Sequence, residues 1–316
     1  MEDSVVKNSL AFVFPGQGSQ KIGMLSELAE KYQAIADTFA EASEVLGYDL
    51  WDLVQNGTQE EITLTERTQP LMLTASVAVW RVWQQENGTQ PVLMAGHSLG
   101  EWSALVCAGV IAFKDAIRLV RNRGAYMQEA VPKGKGAMAA IIGLDDEAIK
   151  SICADACQGE EVAAVNFNSP GQVVIAGNTE AVDRAIEGCK AAGAKRALPL
   201  PVSAPFHTNL MQPAADRLTS EIMATEFSAP KTLVIHNVHA QTESDPEKIK
   251  LLMIDQICSP VLWVDCVKGL SAKGIDTVVE CGAGKVLSGL CKRIDRSLGA
   301  LVTEDVANLE KSLAEA

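Results

Sequence analysis

Ser98 sits in Gly96-His97-Ser98-Leu99-Gly100, directly after the apolar run 92–95 and before a segment with helical spacing (Leu99, Ala104, Leu105, Ala108). A serine between two glycines at a strand-to-helix corner has the form of a nucleophile elbow, G-x-S-x-G. Side chains at 96 and 100 would collide with neighbouring backbone in so tight a turn. The corner also places the serine at a helix N-terminus, where unpaired N–H groups and the helix dipole stabilise a developing oxyanion. A capping serine is the alternative; the strand before it and the helix after it favour the nucleophile. Such a nucleophile needs a base, and the chain has four histidines. His97 adjoins Ser98, but neighbours on a tight turn point apart. His207 lies in a Pro-Phe-His loop, the kind of segment that carries function, and is the better base. His236 and His239 form an H-x-x-H without a nearby carboxylate of zincin type, so no metal site is expected. Between Ser98 and His207 no acid stands out on a strand-end loop, which disfavours the α/β-hydrolase order of serine, acid, histidine.

The elements that must hold these residues alternate between strand and helix, which predicts an α/β fold with a mostly parallel, covered sheet. The run 10–14 reads as the first strand, and the glycine-rich loop after it is placed to give a second N–H to the oxyanion. A helix is expected over 24–42, another starting at the Thr68/Pro70 pair and running to Trp83, and a third over 113–129. Beyond the linker Pro132-Lys133-Gly134-Lys135-Gly136 the order becomes β-α-β-β-α-β, the arrangement of ferredoxin-like folds. We read 132–200 as an inserted ferredoxin-like subdomain, and 1–131 with 201–316 as the large domain. Helices over 208–226 and 247–258 and strands over 233–237 and 277–281 complete the large domain. Gly16, Gly18 and Gly23 miss the dinucleotide spacing, and Gly282-Ala283-Gly284-Lys285 is not a Walker A loop. No cofactor is expected.

Composition bounds the function. The net charge of -13 disfavours nucleic acid. No apolar run reaches the ~20 residues of a membrane span, and the N-terminal MEDSVVKNSL lacks a leader pattern, so export is not expected. Eight cysteines without CxxC spacing argue for a reducing compartment, hence a cytoplasmic protein.

FVFPGQGSQ at the start, GHSLGE at the elbow, RG at 123–124, NFNSPGQVVIAG in the insert, PFH at 205–207 and GKVLSGL near the end occur in this order. Together they resemble the malonyl-CoA:acyl carrier protein transacylase family of bacterial fatty acid synthesis, over about residues 10–294. The resemblance implies an acyltransferase working by a ping-pong mechanism through a malonyl-serine on Ser98. His207 would be general base and then acid, oriented by the backbone carbonyl of Gln256. The oxyanion hole would be the N–H groups of Leu99 and Gln17. Arg123 would pair with the free carboxylate of malonate, as a guanidinium's bidentate fork suits. Phe206 and Met127 would shape the acyl pocket. Malonyl-CoA and an acidic acyl carrier protein would be the partners. An acidic chain then needs a local basic dock: Lys190, Lys195 and Arg196 form the favoured cluster, and Lys292, Arg293 and Arg296 the second. Two rival readings are a serine thioesterase or esterase, and a non-catalytic carrier-protein-binding module. Arg123 and the missing acid speak against the first, the intact Ser98, His207 and Arg123 against the second.

Overall fold

Strict alternation along the first strand decides where the chain's centre lies. In β1 (Leu10–Phe14) the side chains of Leu10, Phe12 and Phe14 enter one apolar cluster and those of Ala11 and Val13 another. A strand buried on both faces belongs in the middle of a covered parallel sheet. In the computed structural model, which describes residues 9–202 and 204–316, β1 is the middle strand of five. Its neighbours are β2 (Leu93–Gly96) and β8 (Thr277–Glu280), flanked by β7 (Leu233–Ile235) and β9 (Gly299–Val302). The order is β7-β2-β1-β8-β9, and every pairing is parallel. The larger cluster includes the helix Thr65–Gln85, whose Trp80 and Trp83 meet the Phe12 ring edge-on.

The second sheet is antiparallel: β3 (Gly136–Ile142), β4 (Val162–Ser169), β5 (Gln172–Asn178) and β6 (Arg196–Pro199) lie in the order β4-β5-β3-β6. Helices Asp146–Cys157 and Thr179–Ala191 pack on it, as expected of a ferredoxin-like unit, around an apolar cluster that also takes in Val264 of the large body. Its outer strand β4 is tied to the large body through Val261, which exchanges backbone hydrogen bonds with Val165 (2.8 Å) and Phe167 (3.0 Å). That tie sets the strand end at Asn166 and Asn168 against the elbow.

Several expected boundaries move. The helix expected over 24–42 is two, Ser26–Lys31 and Gln33–Leu46, separated by an extended Tyr32; Leu28, Ile35, Phe39, Ala42 and Leu46 run in helical phase, so periodicity carries no sign of the break. The helix expected from Thr68 begins at Thr65, because the Leu64 carbonyl already accepts from the N–H groups of Arg67 and Thr68. Pro70 therefore lies inside it. The helix over 208–226 is Gln212–Ala224 after a short 3-10 turn. The helix over 247–258 is Pro246–Asp255, which makes Gln256 its C-cap. Residues 1–8 of the N-terminal stretch behind the expectation about export lie outside the described residues. No helix among the described residues is long and apolar enough to cross a membrane.

Candidate active site

The elbow is as tight as its glycines imply. A Cβ on Gly96 would come 2.0 Å from the Gly100 carbonyl carbon, and one on Gly100 1.9 Å from the Phe14 oxygen. Ser98 adopts φ 50°, ψ −106°, a conformation that is costly for a non-glycine residue and clusters at functional sites. It stands at the N-cap of the helix Leu99–Cys107 but makes no side-chain cap bond, which removes the capping alternative. Asn237, fully buried in the turn two residues after β7, holds the elbow: its Oδ1 accepts the Ser98 N–H (2.8 Å) and its Nδ2 donates to the Gly96 carbonyl (2.7 Å). With the Ser98 N–H so engaged, the next free donor is that of Leu99, the first helical residue, which has no intrahelical acceptor.

The Ser98 hydroxyl meets His207 Nε2 at 2.8 Å. On the other side of the ring, Nδ1 lies 3.0 Å from the backbone oxygen of Gln256. A carbonyl only accepts, so Nδ1 carries the proton and the Nε2 lone pair faces the Ser98 Oγ–H. That carbonyl is available because Gln256 ends its helix, where the last carbonyls lack intrahelical donors. Burial, with the nearby Arg123 guanidinium adding to it, pushes the His207 pKa down to about 3. The imidazole is thus neutral, as a base must be. His97 turns away and pairs through Nε2 with Asn168 Oδ1 at 2.7 Å, linking the elbow to β4.

Arg123 enters from the helix Phe113–Glu129. Its neighbour explains the RG pair: a Cβ on Gly124 would lie 2.5 Å from the Thr65 oxygen, so only glycine lets this helix approach Thr65–Gln85 closely. Arg123 is 2% exposed and its direct partners are neutral. Nη1 donates to Gln69 Oε1 (2.8 Å), and Nη2 to Gln256 Oε1 (3.0 Å) and Ser98 Oγ (3.2 Å). Its Nε has no partner among the described residues. Burial pulls its pKa down to about 10, with Glu101 opposing the shift, so the guanidinium is charged at neutral pH. By contrast Arg118 and Arg121 are exposed, and Arg118 pairs with Asp115.

These groups open onto a cleft of about 540 Å³ whose wall includes Gln17, Ser98, Leu99, Arg123, Met127, Phe206 and His207. Gln256 stands behind that wall, fully buried. Lys195 and Arg196 are exposed, and the residues after β6, Leu200 to Val202, line the cleft. Lys190 is engaged by Glu187. Arg293 donates to Gln172 of the cleft wall at 2.9 Å, on the helix Val286–Ile294 whose Leu287 and Leu290 also line it. Sequence reasoning missed Gln69, Glu101, Asn168 and Asn237. Glu101 and Asn168 lie within the quoted GHSLGE and NFNSPGQ motifs; Gln69 carries no signal. The H-x-x-H has a carboxylate beside it in space, although not one of zincin type within the motif: Glu101 Oε1 lies 2.7 Å from His236 Nδ1, both fully buried, brought together by the elbow helix packing over β7.

A hydroxyl with a neutral, oriented imidazole beside it and an N-terminal helix dipole beneath it is equipped for acyl transfer. The fold and the site are those of an acyltransferase, and residues 11–307 match the model of the acyl transferase domain family. The malonyl CoA-acyl carrier protein transacylase of Salmonella typhimurium is 57% identical over 305 residues, 96% of this chain and 99% of that protein. That of Bacillus subtilis is 46% identical over 307 residues, 97% and 96% respectively. The crystal structure of an acyl carrier protein S-malonyltransferase from Vibrio cholerae superposes with TM-score 0.94 at 61% identity, covering 96% of this chain and 99% of that one. The chain belongs to the malonyl CoA-acyl carrier protein transacylases within the acyl transferase domain family. A further neighbour, at TM-score 0.96 and 55% identity over 98% of this chain and all of its own, is a malonyl-transacylase in complex with a type II PKS acyl-carrier protein.

Proposed function

We propose that the chain moves a malonyl group from malonyl-CoA to the pantetheine thiol of an acyl carrier protein in fatty acid synthesis. Ser98 Oγ attacks the thioester carbonyl while His207 Nε2 takes its proton. The tetrahedral oxyanion rests on the N–H groups of Leu99 and Gln17. The C–S bond then breaks, His207 returns the proton to the departing thiol, and malonyl-Ser98 remains. The carrier thiol repeats these steps in reverse. Arg123 receives the malonate carboxylate, and Met127 and Phe206 bound the acyl group. One observation carries this reading: a buried guanidinium with only neutral direct partners, 3.2 Å from the nucleophile. In a dry site a fixed positive charge selects an acyl group bearing a carboxylate.

The residues 132–200 serve in this reading as an inserted subdomain that closes one side of the cleft. The carrier protein docks on the basic surface of Lys195 and Arg196, with Lys292, Arg293 and Arg296 as a second patch. The free state of all eight cysteines supports a cytoplasmic location. Intact mass after mixing with malonyl-CoA, and again after adding holo carrier protein, tests the whole cycle. A malonyl adduct that disappears as malonyl-carrier protein forms is expected. An adduct lost instead as free malonate would point to a thioesterase, and no adduct to a binding module.

A further inference from the structure

Glu101 is fully buried beneath the elbow, and the mechanism above does not use it. Its Oε2 accepts from the Gln256 side-chain Nε2 at 2.7 Å and from the Asn237 backbone N–H at 3.1 Å; Oε1 faces His236. A backbone N–H can only donate, so Oε2 is an acceptor toward Asn237, and the Ser98 carbonyl beside the same end of the Gln256 amide can only accept, so that end is the NH2. The same NH2 also donates to the Ser98 carbonyl at 3.1 Å. Gln256 Oε1 is thereby left to Arg123 Nη2. An amide's two ends are nearly alike in shape, and only such partners decide which way it sits. Reversed, it would point an NH2 at the guanidinium. Glu101 is also the buried negative charge that favours the charged form of Arg123.

We propose that Glu101 is a positioning residue that fixes the orientation of the Gln256 side-chain amide, through it the placement of Arg123, and so the preference for a carboxylate-bearing acyl group. This rests on the reading of Arg123 as the malonate-binding residue. His207 is oriented by the Gln256 backbone, not its side chain, so the nucleophile's activation is separable from this relay.

The test is Ser98 acylation by malonyl-CoA and by acetyl-CoA in Glu101→Gln. Glutamine keeps the size but removes the charge, and it cannot present acceptors to His236, Asn237 and Gln256 together. The malonyl-to-acetyl rate ratio should fall roughly tenfold or more, the worth of one charge-assisted hydrogen bond. A structural prop would slow both substrates alike, because Glu101 also holds Asn237; equal losses, or no change, overturn the proposal. Gln256→Met keeps the backbone carbonyl and deletes Oε1, so it should lower the ratio in the same way and gives the answer if the first variant does not fold. Where both fold, the double variant should lose no more selectivity than the more affected single one; multiplying losses would mean that Glu101 does not act through Gln256. A wild type with no malonyl preference would overturn the functional reading and this one with it.

Discussion

At the scale of residues, the site works because polar groups are buried with directional partners. His207 keeps a lone pair toward Ser98 because its other nitrogen is bound to a carbonyl, and burial keeps it unprotonated. The free-enzyme base should therefore not titrate near its ordinary value of 6.5. We expect kcat/KM for acylation to show no His-type loss as pH is lowered from about 8 to about 5; an inflection near 6.5 would contradict the assignment. Stability has the linked sign: the unfolded imidazole binds a proton between about 6.5 and 3 while the folded one does not, so stability from this group falls as pH drops through that window. His207→Ala should slow acylation and transfer by roughly 10²-fold or more. Ser98 and its flanking glycines were legible because their spacing is local, and His207 because only four histidines occur and this one sits in a Pro-Phe-His loop. Gln69, Asn237 and the Glu101–His236 contact were not, since each depends on packing between segments roughly 50 to 140 positions apart in sequence.

At the scale of elements, close backbone approach is what makes the elbow. Gly100→Ala would drive a methyl to 1.9 Å from the Phe14 carbonyl, and overpacking of that kind costs about 1–3 kcal/mol. Gly289, in the helix Val286–Ile294, faces open space where a methyl would go, so Gly289→Ala should instead stabilise by about 0.5–1 kcal/mol. Denaturant midpoints of the two variants should move in opposite directions, and a shift in the same direction would contradict the reading of the turn. The same scale shows what local pattern conveys. The helix Phe113–Glu129 is legible to the residue because its apolar stripe is bounded by Gly109 and by the linker after it. The break at Tyr32 is invisible, since the stripe continues through it. The role of Gln256 is implied by resemblance, but its cap position, which frees the carbonyl, emerges only where the helix ends.

At the scale of the whole molecule, the cleft lies between a parallel sheet whose β2 leads into Ser98 and an antiparallel one that carries Asn166, Asn168 and Gln172. The β-α-β-β-α-β order made the second sheet legible; its seating, through Val261 and His97, is a long-range contact that no local pattern conveys. If the carrier protein is acidic, as the resemblance implies, a chain of net charge -13 would meet it through a local basic patch. Lys195→Glu with Arg196→Glu should raise KM for carrier protein, most at low salt, and leave acylation by malonyl-CoA nearly unchanged. Wild-type KM at low ionic strength would move the dock to the Arg293 patch. On the proposed reading, Arg123 makes this serine–histidine site a malonyl site. Removing one member of a buried charge pair costs about 2–5 kcal/mol, at about 1.4 kcal/mol per tenfold. The direct measurement is the rate of Ser98 acylation from malonyl-CoA and acetyl-CoA in Arg123→Ala. We expect malonyl transfer to fall by roughly thirtyfold to several thousandfold while acetyl transfer falls far less, reversing the preference; equal losses on both substrates would contradict the account.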